Sequence, residues 1–178
     1  MLTLREDKTH ADDIRTTLLH ARLCHQAWWV FTGAHPQRDA ILAVYNRYLH
    51  FFEAVRPALF STFIVKLASL FGTRSDEITL KMLPGSEDDP AFAALWERGR
   101  RLHRYRSKVI AHRDVEVLSK DFAKDTGFTY DSLKAILEDT YALFDRLADA
   151  HRFEHTFSFS SQDDLLALVN DLGDPQRI

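Results

Sequence analysis

Apolar residues recur along most of this chain at three- and four-residue intervals, the period of one face of an α-helix. The first such stretch runs from about residue 9 to 31. There Ile14, Leu18, Leu19 and Ala21 alternate with Asp12, Asp13, Arg15 and Arg22, and Gly33 stops the pattern. A second helix is predicted to start near Pro36, a favourable first-turn residue, with Ile41, Val44, Tyr45, Tyr48, Leu49 and Phe52 as its apolar stripe. Proline lacks a helical donor and clashes with the preceding turn, so Pro57 is expected to end or kink that helix. A third helix is then expected from Pro57 to Phe71, with Gly72 as its C-terminal cap. It is apolar on most of its circumference and is expected to be the most central element.

Residues 73–89 read as a connection. Ser75 to Ile78 can start a single helical turn, and Pro84-Gly85-Ser86 is a turn signal. A fourth helix is predicted from about Pro90 to Ala111, followed by a polar, irregular stretch from Val115 to Gly127. Thr129 or Asp131 is placed to cap a fifth helix carrying Leu133, Ile136, Leu137, Tyr141, Leu143, Phe144 and Leu147. Phe157 and Phe159 alternate with serines, as in a short extended piece. A small helix from Gln162 to Leu172, with Gly173 after it, belongs to the last segment, 162–178. The expectation is an all-α, up-down bundle of five to six helices forming one domain over residues 1–178.

Composition narrows the picture. With 178 residues, 46% hydrophobic and 28% charged, the chain falls in the range of a folded globular domain. Six glycines and five prolines suit long helices with few turns. The segment from Met1 to His10 is charged and lacks the apolar core of a signal peptide. No apolar run reaches the roughly 18 residues of a membrane span. A cytoplasmic protein with no membrane association is therefore expected. Cys24, the only cysteine, cannot form an internal disulfide or a cysteine-based zinc site, and its apolar neighbours suggest a buried structural thiol. A net charge of −3 exerts no global attraction on nucleic acid, so any such site must be a local basic patch.

That patch is present in the stretch WERGRRLHRYRSKVIAHRD, residues 96–114. It holds Arg98, Arg100, Arg101, Arg104, Arg106, Lys108 and Arg113 against Glu97 and Asp114. A charge run of this kind is most often a solvated helix face. Arg106 is not explained in that way. It falls within the stripe formed by Phe92, Leu95, Trp96, Gly99, Leu102, Val109 and Ile110, four residues after Leu102 and three before Val109. A guanidinium on that face needs either a buried carboxylate or a cleft open to water and phosphate. His112 lies six residues further on. Six helical steps would leave the two side chains about 120° apart. They converge only if the helix ends near Ala111 or if two copies meet across a dimer axis.

Arg106-Ser107-Lys108-Val109-Ile110-Ala111-His112 resembles the R-x(4–6)-H signature of HEPN domains, a helical superfamily of nucleotide-binding proteins and RNases. The longer string to Asp114 looks like the RxKxxAHRD pattern of the AbiU-type abortive-infection subgroup. It departs from many HEPN RNases at Ser107, where Asn, Asp or His often follows the arginine. The resemblance implies a homodimeric endoribonuclease acting without metal or other cofactor, in a toxin or phage-defence setting with an antitoxin protein as partner. It implies His112 as the acid/base and Arg106 on the phosphate, with Arg104, Lys108 and Arg113 holding the RNA backbone. It also implies a 2′,3′-cyclic phosphate product and no action on DNA, which lacks the 2′-OH. The alternatives are a HEPN-like module that binds nucleotide, RNA or a partner protein without cleaving, and a helical interaction protein in which Arg106 is a structural ion pair. His103 either lines the same cleft or packs beside it. His151 and His155 have a spacing that can place two metal ligands on one helix face, but no third ligand is evident, and no metal site is expected. Trp28 and Trp29 read as helix-packing residues. Asp12, Asp13, Glu87, Asp88 and Asp89 read as capping and loop acids.

Overall fold

A computed structural model describes residues 4–109, 127–153 and 160–173. These residues form six α-helices and no strand: α1 Leu4–Thr32, α2 Arg38–Arg47, α3 Leu49–Ser69, α4 Phe92–Val109, α5 Tyr130–His151 and α6 Ser161–Gly173. The all-α bundle expected from the periodicity is the observed architecture. Between α3 and α4 the chain makes two short 3-10 turns, Leu80–Met82 and Ser86–Asp88. Ser75 to Ile78 is not helical. The alternation around Phe157 and Phe159 lies outside the described residues.

Three boundaries differ from expectation, the first being the start of α1 at Leu4 instead of near residue 9. The helix break falls at Tyr48, and α3 runs through Pro57 without interruption. Tyr48 leaves the helical region (φ −115°, ψ 38°), and the turn it makes lets Tyr45 and Phe52 stack across it, with ring centroids 5.5 Å apart. Packing of these aromatic rings into a shared core fixes the break more strongly than the one donor lost at proline. The end of α3 also differs, because α3 stops at Ser69 and Gly72 lies beyond it. Gly72 makes room for the side chain of Glu77, whose Oε2 would be 2.0 Å from a Cβ at residue 72.

Two cores organise the bundle. The larger gathers Ile14 and Leu18 of α1, Phe63, Ile64 and Leu67 of α3, Leu95 and Leu102 of α4, and Ile136, Leu143 and Phe144 of α5. The smaller gathers Val30 and Phe31 of α1, Ile41 and Val44 of α2, Phe52 of α3 and Val169 of α6. Each fully buried apolar side chain stabilises the fold by roughly 1.5–3 kcal/mol before entropy is counted. α3 was expected to be the most central element, and it packs heavily against α1 and α4. It shares that place with α1, whose 29 residues are long enough to reach both cores and touch α2, α3, α5 and α6. α6 is tied down by polar bonds. Ser161 Oγ donates to the Leu23 carbonyl at 2.6 Å, and Arg47 donates to the Leu172 carbonyl at 3.0 Å. α5 starts with a capping box between Thr129 and Ser132, confirming Thr129 over Asp131 as the cap.

The position of α4 depends on one glycine. A Cβ at Gly99 would lie 2.1 Å from the Phe71 ring, so the ring rests directly on the helix backbone. Phe71 is fully buried and also packs against Trp96, with ring centroids 5.9 Å apart. It cannot swing away cheaply in a close-packed interior. Gly99→Ala should therefore lower stability by about 1–3 kcal/mol through overpacking, although alanine is the better helix former. Denaturant midpoints of the wild type and the variant measure this. An unchanged or raised midpoint would show that the contact between Phe71 and α4 is not a constraint.

Candidate functional site

The inner face of α4 carries Leu95, Gly99 and Leu102 into the larger core. Arg98, Arg101 and Arg104 follow one another at three-residue intervals as a basic row that winds from the flank of that face, at Arg98, to the exposed side of the helix, at Arg101 and Arg104. Arg98 pairs with Asp139 of α5 at 2.6 Å, with both side chains substantially exposed. Such a pair contributes little net stability. The Arg101 guanidinium sits 5.6 Å from the centroid of the Phe128 ring, a cation–π contact that joins α4 to the segment entering α5. Arg104 is exposed.

Arg106 stands apart from this row. It projects one turn beyond Leu102, which is fully buried, and it is itself half-buried. No hydrogen bond or ion pair joins Arg106 to a carboxylate among the described residues. Of the two ways of accommodating it, a buried structural ion pair is thus not found there. Lys108 belongs to the last turn of α4, but its side chain is outside the described residues, as are His112 and Arg113 in full. The structure therefore brings Arg98, Arg101, Arg104 and Arg106 onto one helix and does not report on the convergence of Arg106 with His112.

His103 lies one turn before Arg106 on the flank of α4 that faces the 72–82 connection. Its Nε2 is 3.8 Å from Glu77 Oε1, with both side chains mostly buried. The backbone N–H of Arg74 donates to Glu77 Oε2 at 3.3 Å. Glu77 did not stand out in the sequence. It lies in an irregular connection, with no periodicity to place it near α4.

His25 is a second group that sequence reasoning missed. It is only 7% exposed and is enclosed by Trp28, Phe63 and Tyr130, stacking on the Tyr130 ring at 5.6 Å. Its Nε2 has no hydrogen-bond partner among the described residues. The signal was present, since Leu18, Ala21, His25 and Trp28 follow at the helical spacing of a single buried face. Burial, reinforced by the positive charge of Lys134, lowers its pKa from 6.5 to about 4. Burial likewise pushes the half-buried Cys24 thiol up, so it is not an activated thiolate. Trp28 and Trp29 pack as expected. Trp28 lies against Phe60, and Trp29 stacks on Tyr130 at 3.9 Å. Asp89 is a loop acid held below the usual carboxylate range by a bidentate Arg146 contact, with both bonds at 3.0 Å.

No group of three or more metal-ligating side chains occurs among the described residues, and His155 lies outside them. No helix of the described residues is long and apolar enough to cross a membrane. Comparison of the chain with protein-family models, with curated proteins and with solved structures gives no match.

The buried His25 gives the fold a pH dependence of definite sign. The folded state holds this imidazole neutral down to about pH 4, whereas the unfolded chain protonates it near 6.5. Its contribution is complete above pH 6.5 and is lost as pH falls from there toward 4. By then the loss is on the order of 3 kcal/mol. His25→Phe should flatten the decline in unfolding free energy between pH 7 and 4.5 relative to wild type. Parallel declines in the two proteins would refute the assignment.

Proposed function

We propose that the chain is a metal-independent endoribonuclease of the HEPN type, working as a homodimer in a toxin or phage-defence role. The single observation that carries this reading is Arg106. It is a half-buried guanidinium above the core layer of α4, without a carboxylate partner among the described residues, and it opens an R-x(5)-H motif. The basic row of Arg98, Arg101 and Arg104 supports the reading, because the chain as a whole is acidic.

The chemistry follows from the residue types. His112 takes the proton of an RNA 2′-OH, whose oxygen attacks the adjacent phosphorus. The P–O5′ bond breaks, the leaving oxygen is protonated, and the products are a 2′,3′-cyclic phosphate and a 5′-hydroxyl end. An imidazole is suited to both proton steps near neutral pH. Arg106, permanently charged and forked, holds the non-bridging oxygens as charge builds on them. Arg104, Lys108 and Arg113 hold neighbouring phosphates. Two motifs related by a two-fold axis bring arginine and histidine together where a single straight helix would leave them apart. An antitoxin protein would be the partner that restrains such an enzyme.

Ser107 favours a second reading, in which the same surface binds RNA or nucleotide without cutting it, because HEPN RNases often carry Asn, Asp or His there. Cleavage of single-stranded RNA in excess EDTA separates the two. Wild type should cleave, while His112→Ala should be slower by about a hundredfold to ten-thousandfold. Arg106→Ala should also lose turnover. A substrate with 2′-deoxyribose at the cut site should be inert. Binding without cleavage by wild type would establish the second reading. Equal cleavage by wild type and His112→Ala would remove the motif from the mechanism.

Light scattering at micromolar concentration tests the assembly separately. A two-fold dimer is expected, and its interface should include α4. A strict monomer would leave a single copy of the motif with no partner to complete it and would overturn the dimeric enzyme.

A further inference from the structure

The connection between α3 and α4 is held firmly although it is irregular. The Leu80 N–H donates to the Leu70 carbonyl at 3.0 Å, and Leu80 and Leu83 are fully buried. Between this connection and α4 lies a cleft of about 280 Å³, bounded by Arg74, Glu77, Thr79, Lys81, Trp96 and Arg100 among others. Binding sites for small molecules typically span about 300–1,000 Å³. A cleft just below that range has room for a phosphate with part of its sugar, and no room for a run of nucleotides.

The lining charges specify the ligand further. Among the described lining residues, Arg74, Lys81 and Arg100 are cations and Glu77 is the one carboxylate, an excess of two positive charges. Arg74 pairs with Asp76 at 2.7 Å and Lys81 with Glu87 at 2.6 Å, but neither acid lines this cleft. Both pairs are exposed, so an incoming anion can draw the two cations inward at little cost. Arg100 has no ion pair among the described residues. Lys81 Nζ lies 5.0 Å from the centroid of the Trp96 ring, which also lines the cleft. His103, one turn beyond Arg100, faces Glu77 at 3.8 Å. A phosphomonoester carries about −1.5 to −2 charges at neutral pH and matches the excess. A phosphodiester carries only one charge and leaves part of the excess uncompensated.

We infer that the cleft between the 72–82 connection and α4 binds a phosphomonoester, with Arg100 and Lys81 as its principal ligands and Arg74 closing from the rim. The ligand is a nucleoside monophosphate or the phosphorylated end of an RNA strand, which present the same group. Neither Arg104 nor Arg106 lines this cleft, and the inference holds whether or not the chain cleaves RNA.

The test uses the full chain at low salt and compares adenosine 5′-monophosphate with adenosine by titration calorimetry. A 2′-O-methyl RNA oligonucleotide, which cannot undergo 2′-OH attack, is compared with and without a 5′-phosphate. The phosphorylated member of at least one pair should bind at least about tenfold more tightly, the loss expected for one charge-assisted contact. Arg100→Gln and Lys81→Met should each erase most of that preference, with helix content unchanged by circular dichroism. Glu77→Gln should preserve or increase it. Tighter binding of the monophosphate than of the phosphorylated oligonucleotide identifies a nucleotide site, and the reverse order identifies an RNA end. Equal binding within both pairs would overturn the inference. So would a preference unchanged in folded Arg100→Gln, or in folded Lys81→Met if Arg100→Gln does not fold.

Discussion

Phe71 occupies the space that any side chain at residue 99 would need, and the rest of the molecule is arranged around that contact. Phe71 follows the end of α3 by two residues, and its ring rests on the α4 backbone where a Cβ would otherwise stand. With α4 seated in this way, Leu95 and Leu102 enter the larger core on one face. Arg101 and Arg104 are correspondingly exposed, and Arg98 lies at the flank of that face. The seating of the helix and the presentation of its charges are therefore a single structural event. The connection that leaves α3 must then fold back over the same helix, and that return forms the wall bearing Glu77 and Lys81.

Placement of cations on α4 follows from the cost of burying charge. Guanidinium and ammonium groups taken fully out of water need a partner, and those at the margin of a core can keep part of their hydration. Arg98, Arg101 and Arg104 satisfy that requirement in three different ways: an exposed ion pair, an aromatic face, and open solvent. Arg100, His103 and Arg106 occupy the margin itself, spaced by one turn each. There the effective dielectric falls below that of water, and an anion gains more from each cation than it would on an open surface. A chain of net charge −3 can in this way present a strongly attractive local surface without being basic overall.

Helical periodicity made most of the fold legible because most of the helices are amphipathic with long stripes, while α3 is apolar around most of its circumference. The start of α5 at Thr129, the end of α1 before Gly33 and the extent of α6 followed from residues whose local chemistry acts within a turn. The break at Tyr48 was not legible, because proline is a local signal whereas the packing of Tyr45, Phe52 and Phe31 is decided by how three separate helices meet. Glu77 was not legible for the same reason. Its position depends on a space left by Gly72 and on a backbone donor at Arg74, neither of which has a period. The anomaly of Arg106 was legible from its register alone, and so in retrospect was His25. A polar residue in an apolar stripe is visible in one dimension, while its partner across the interior is not.

His25 and Arg106 illustrate two outcomes of that anomaly. His25 sits deep in α1 among aromatic rings, where the interior can accommodate it only as a neutral imidazole. It serves packing and adds a liability to acid. Arg106 cannot shed its charge, because a guanidinium stays protonated throughout the physiological range. The fold must leave it a route to water or to an anion. A neutralisable group can thus be absorbed into a core, whereas a permanent cation on a core-facing row marks a place where the core stops. That distinction makes the far end of α4 the strongest candidate for chemistry, and it depends on residue type and depth alone.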